Sequence, residues 1–177
     1  MTEHKIITAG FGGQGIVLAG SLLANAAILE NKKVAGIVSY GAEVRGGTSS
    51  STTIISDEDV YSPIIDKPNI VVALNQPSLD KYKDKIEKNG FLVINTSLAE
   101  DIEGKDINVI RINATEIAYE LGNVRVANIV AIGALIKKSG ILQFNNLKKV
   151  LSSVLKGKQE LVEINEKALE KGAELCS

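Results

Sequence analysis

Apolar residues in this chain fall into two kinds of run, short β-branched stretches and longer stretches at helical spacing, and the two alternate along most of its length. Ile6-Ile7 opens a first strand, and Lys33-Val34-Ala35-Gly36-Ile37-Val38 reads as a second. Between them Ile16, Val17, Leu18, Ala19, Leu22, Leu23, Ala26, Ala27, Ile28 and Leu29 mark a helix over about residues 13–30. Its apolar residues reach nearly every side, so more than a sheet must cover it, and a partner surface would do so. Residues 48–55 mix hydroxyl and β-branched side chains and predict another strand. Ser56-Asp57-Glu58-Asp59 then predicts a turn into Val60-Tyr61, a hairpin that interrupts the βαβ order and makes the sheet mixed.

Residues 70–74 are short, apolar and β-branched, as suits a strand buried on both faces, and Pro77 sits where a helix can begin. Asn75 and Gln76, at that strand's end, either touch a ligand or cap the helix, and capping is the better reading. The helix over 79–88 alternates charges around a few apolar anchors, a solvated face. Strands follow at 91–94 and 109–112, and a short helix at 115–121 capped near Asn113. A second strongly apolar helix runs from Val126 through Gly133, which invites close packing, to a stop at Lys137, Lys138 and Gly140. Residues 143–155 and 159–175 carry helical stripes, Leu147, Val150, Leu151, Val154, Leu155 and then Leu161, Ile164, Ala168, Leu169. With 177 residues and no internal repeat or linker, the whole chain, 1–177, is expected to form one α/β domain.

The junction of the first strand and first helix carries the first chemical signal, Ala9-Gly10-Phe11-Gly12-Gly13-Gln14-Gly15. Glycines keep no side chain between backbone and ligand, and the first-turn amides of a helix lack partners inside it, so an anion is favoured there. Gly10-x-Gly12-x-x-Gly15 meets the dinucleotide fingerprint, yet the acidic residue expected after the second strand is missing, since that strand runs into Ser39, Tyr40 and Gly41. A turn whose glycines serve only packing stays open as the alternative.

A second glycine-rich run, Ser39-Tyr40-Gly41-Ala42-Glu43-Val44-Arg45-Gly46-Gly47, stands where the next strand would deliver its loop to the same sheet edge. Arg45 is a permanently charged fork suited to phosphate or carboxylate, Glu43 could orient it, and Gly46-Gly47 lets amides approach what it holds. The competing reading is a surface turn with a solvated or Glu43-paired arginine.

On these residues the chain resembles the gamma subunit, or gamma-type domain, of 2-oxoacid:ferredoxin oxidoreductases, in the 2-oxoglutarate and branched-chain types more than the pyruvate type. That family has a G-x-G-G-Q-G turn, a helix and an S-[YF]-G-x-E-x-R-G-G stretch, here Ser39 to Gly47 with every named type in place. Asp66-Lys67-Pro68-Asn69-Ile70-Val71-Val72-Ala73-Leu74-Asn75-Gln76 is similar to its K-P-D-x-x-V-A-L-x-Q segment, departing at Asn69. The resemblance implies a three-layer Rossmann-like α/β domain with a mostly parallel, mixed sheet, and assembly with alpha and beta, and in some complexes delta, subunits that serve ferredoxin. It implies thiamine diphosphate and iron–sulfur clusters on those partners, and a share here in the coenzyme A site. Gly10, Gly12, Gly13, Gln14, Gly15, Tyr40, Glu43, Arg45, Gly46 and Gly47 are the candidate binding residues. Backbone amides and Arg45 would hold phosphate, Gln14 and Glu43 would shape the loops, and Tyr40 is as much a loop anchor as an interface contact.

Composition narrows the remaining classes. Lys plus Arg number 20 against 21 Asp plus Glu, which gives no support for nucleic acid as a partner. One cysteine, Cys176, and one histidine, His4, leave no cluster or zinc ligand set in this chain, and neither residue is given a role beyond packing and solvation. A reducing cytoplasm is expected, with no export signal ahead of the first strand and no membrane span. No nucleophile elbow or carboxylate pair is present, so no catalytic residue is expected in the isolated chain. Two alternatives remain, a free-standing nicotinamide-dependent oxidoreductase and a structural subunit that binds no ligand.

Overall fold

A computed structural model describes residues 3–40 and 48–176. Six strands, β1 (Glu3–Phe11), β2 (Lys33–Tyr40), β3 (Thr48–Ser56), β4 (Ile70–Ala73), β5 (Phe91–Asn95) and β6 (Asn108–Ile112), form one sheet in the order β2-β3-β1-β4-β5-β6. β1, β4, β5 and β6 are parallel neighbours, while β3 runs antiparallel to both β1 and β2. The sheet is therefore mixed and mostly parallel, and the strands other than β3 all end at one edge.

The side-chain period of two divides the core between the sheet's faces. Ile6, Val72, Val93 and Ile110 join a cluster with α1 (Ile16–Leu29), α3 (Ala114–Glu120), α4 (Ala127–Ser139), α5 (Phe144–Val154) and α6 (Gln159–Leu175). Ile7, Ala9, Val71, Leu92 and Ile94 face the other way, onto Leu79 and Tyr82 of α2 (Gln76–Tyr82). β4 is buried along its whole length, as the apolar run at 70–74 requires.

Two expectations change. Val60 and Tyr61 form no strand, and the hairpin lies instead between β2 and β3, because β3 finds its ladder partners in β2 on one side and β1 on the other. The helix expected over 79–88 starts earlier and ends at Tyr82, followed by a 3-10 turn at Lys83–Lys85. Glu87 leaves the helix path because its amide donates to the Pro68 carbonyl at 2.8 Å. The first apolar helix is covered mainly by this chain's own sheet and α5, leaving Val17, Ile28 and Leu29 exposed.

Candidate functional site

β1 ends at Phe11, and the chain turns through Gly12, Gly13 and Gln14 into α1. Gly13 and Gly15 have φ of +92° and +71°, the left-handed region in which a Cβ is strained. Gly15 has a second reason to be glycine, since a Cβ there would run into the Asn128 amide. That amide donates from Nδ2 to the Gly15 carbonyl at 2.8 Å, tying the start of α1 to α4. Gly12 has neither constraint. Its φ is not positive, and among the described residues nothing lies within 4 Å of where its Cβ would stand.

The amide donors of this turn divide in the same way. The Phe11 amide donates to Gln14 Oε1 at 2.6 Å, and the Gln14 amide to the Phe11 carbonyl at 3.2 Å. Among the described residues nothing accepts from the amides of Gly12, Gly13 or Gly15, and α1 has no side-chain cap. Free amides at the amino end of a 14-residue helix, aided by its dipole, make a place for an anion.

Gly10 lies beneath the turn, and a Cβ on it would sit 2.6 Å from Gln14 Oε1. The Gln14 carboxamide thus occupies the crevice between the ends of β1 and β4. The chain passes from β1 toward β2 on one side and later to β4 on the other, the point where open α/β sheets receive ligands. Here the crevice is filled from within, and the open surface is the outer side of the turn.

Register brings residues 40 and 48, on either side of the second glycine run, to the edge where β1 ends. Phe11 pairs with Thr48 and Tyr40 with Ser49, at the edge that carries Gly12 to Gly15. Glu43, Arg45, Gly46 and Gly47 lie outside the described residues, as does the side chain of Tyr40. Gly10, Gly12, Gly13, Gln14 and Gly15 stand together at this edge.

Four polar residues outside both glycine runs also stand at this edge: Asn75, Asn95, Thr115 and Asn128. Asn75 does cap α2, its Oδ1 accepting from the Ser78 amide at 3.0 Å. It also donates from Nδ2 to Gln14 Oε1 at 2.9 Å, so the capping residue is tied to the glycine turn as well. Asn95 donates to the Leu74 carbonyl at 3.0 Å and to Thr115 Oγ1 at 2.9 Å. A signal was present, since β4 and β5 both run from β-branched residues into a single asparagine. Among the described residues no three His, Cys, Asp or Glu side chains converge as a metal site, and no helix is long and apolar enough to cross a membrane.

The sequence matches the pyruvate ferredoxin/flavodoxin oxidoreductase family over residues 5–175. It is 41% identical to the 2-oxoglutarate synthase subunit KorC of Methanocaldococcus jannaschii, covering 89% of this chain and 87% of that one. It is 37% identical to the ketoisovalerate oxidoreductase subunit VorA of Methanothermobacter marburgensis, covering 97% of this chain but 36% of VorA, so the chain spans about a third of that relative's length. The crystal structure of a keto/oxoacid ferredoxin oxidoreductase gamma subunit from Geobacter sulfurreducens is similar with a TM-score of 0.82 and 32% identity, over 97% of this chain and 96% of that one. A 2-oxoglutarate:ferredoxin oxidoreductase from Magnetococcus marinus with 2-oxoglutarate, coenzyme A and succinyl-CoA bound is similar with a TM-score of 0.87 and 28% identity, over 97% of this chain and 30% of that one. With the match running nearly end to end and the glycine turn in place, the chain belongs to the pyruvate ferredoxin/flavodoxin oxidoreductase family.

Proposed function

We propose that this chain is the gamma component of a multi-subunit 2-oxoacid:ferredoxin oxidoreductase, in which a 2-oxoacid such as 2-oxoglutarate and coenzyme A yield acyl-coenzyme A and carbon dioxide, with the electrons passed to ferredoxin. Its part is assembly and one wall of the coenzyme A site. The observation that carries the reading is the turn at Gly12, Gly13 and Gly15, with amides that nothing among the described residues engages, at the head of α1. A glycine at position 12 that neither φ nor packing demands fits close approach by a molecule from outside the chain. The phosphates of coenzyme A suit such a turn, and coenzyme A is bound in the similar enzyme from Magnetococcus marinus. Arg45, in the run between residues 40 and 48, would supply a charged fork for the same phosphates.

Thiamine diphosphate and iron–sulfur clusters belong, in this reading, to alpha, beta or delta partners. Cys176 is this chain's one cysteine and cannot by itself hold a cluster that takes several thiolates. The nicotinamide alternative is disfavoured by topology. Antiparallel β3 separates β1 from β2, so the end of β2 is about 9.5 Å, two strand spacings, from the strand that carries the turn.

Purification of the chain from its native host tests the assignment. Partners carrying thiamine diphosphate and a brown cluster chromophore are expected, and a colourless lone chain that binds NADH saturably refutes it. Coenzyme A titration of the complex with Arg45→Ala then tests the site, where unchanged affinity removes Arg45 from it.

A further inference from the structure

Asn75 and Asn95 are almost wholly buried at the ends of β4 and β5, where a carboxamide has no water to satisfy it and must find partners in the protein. Those partners form one chain of hydrogen bonds. Asn95 Nδ2 donates to Thr115 Oγ1 at 2.9 Å and to the Leu74 carbonyl at 3.0 Å. The same carbonyl lies 3.5 Å from Gln14 Nε2, and Asn75 Nδ2 donates to Gln14 Oε1 at 2.9 Å. Gln14 Oε1 takes its second bond, from the Phe11 amide, at 2.6 Å.

This chain has a direction that cannot be reversed locally. Asn75 Oδ1 is committed to the Ser78 amide, so Asn75 must offer its NH2 to Gln14. Gln14 must then present its oxygen there, and that oxygen also holds the Phe11 amide. A carboxamide on Gln14 turned the other way would set Nε2 against two donors at once, leaving both without that acceptor.

We infer that Asn75 is a positioning residue for the glycine turn. It decides which way the Gln14 carboxamide faces, and so holds the turn that carries the free amides of Gly12 and Gly13. Fixing the turn follows from the hydrogen bonds alone, while its consequence for coenzyme A rests on the reading proposed above.

The test uses the native-host complex carrying Asn75→Asp or Asn75→Ala. Asn75→Asp keeps an acceptor for the Ser78 amide and takes away the donor to Gln14, whereas Asn75→Ala takes away both. Both are expected to speed hydrogen exchange across residues 11–15, and to raise KM for coenzyme A about tenfold while KM for the 2-oxoacid stays in place. Faster exchange in Asn75→Ala alone reduces Asn75 to a helix cap and overturns the inference. Faster exchange in both, with KM for coenzyme A unmoved, upholds the positioning role and refutes the coenzyme A reading. Should Asn75→Ala fail to assemble, Asn75→Asp decides alone, and parental exchange in it overturns the inference.

Discussion

Gly12 and Gly15, three positions apart, answer to different demands: the fold requires glycine at 15 and not at 12. Gly15→Ala forces a Cβ into the left-handed region and into the Asn128 amide, so it is expected to destabilise the chain by about 2 kcal/mol or more in chemical denaturation. Gly12→Ala meets open space and an ordinary φ, so its stability should stay within about 0.5 kcal/mol of the parent. A loss of coenzyme A affinity by the complex carrying Gly12→Ala, at unchanged stability, would place the ligand against the turn. His4 behaves differently from the solvated residue that the sequence suggested. Its imidazole is half-buried on β1, and burial, with Lys32 nearby, holds its pKa below the ordinary 6.5 despite the opposing pull of Asp57. The unfolded chain therefore takes up a proton at higher pH than the folded one. The contribution of neutral His4 is complete above pH 6.5 and is lost as pH falls through the lower folded value. Denaturation midpoints should drop below pH 6.5 in the parent and less in His4→Gln.

α4 and α6 pack backbone against backbone, and two glycines permit it. A Cβ on Gly133 would strike the Leu169 carbonyl, and one on Gly172 the Val130 carbonyl, so each helix presents a glycine to the other's backbone. Backbone cannot swing aside as a flexible side chain can. Gly172→Ala is expected to cost about 3 kcal/mol, read as a lowered midpoint in urea, because the helices must separate and uncover the buried face of α4 from Ala127 to Ile136. Gly133 was legible as a close-packing site from the apolar run around it; Gly172, in a charged stretch, was not. Helix α6 kept its expected bounds of 159 and 175, although its buried stripe runs through Val162, Ala168 and Leu169 and leaves Leu161 exposed, and α4 stopped at Gly140 in the left-handed conformation, as the lysines and glycine indicated. α2 fell short of its expected end because the contact that draws Glu87 to Pro68 is remote in sequence.

Across the molecule the sheet has unequal edges. β2 is an eight-residue edge strand with Ile37 47% exposed and no proline in it, and among the described residues no strand pairs with its outer side. Ile37→Lys should leave the isolated chain's stability within about 0.5 kcal/mol and reduce its self-association in light scattering. An unchanged tendency to associate would point instead to the exposed Val17, Ile28 and Leu29 of α1.

The sequence by itself determined the α/β alternation, the glycine turn at the head of α1 and the family resemblance, because each is written in neighbouring residues through period, turn chemistry or motif. Only the tertiary structure decided that β3 stands between β1 and β2, that His4 is half-buried, that Asn128 ties α1 to α4, and that Asn75 and Gln14 meet across 61 positions. Those outcomes depend on strand order and on hydrogen bonds between residues far apart in the chain, and a buried amide shows its partner only once the backbone has brought the two within reach.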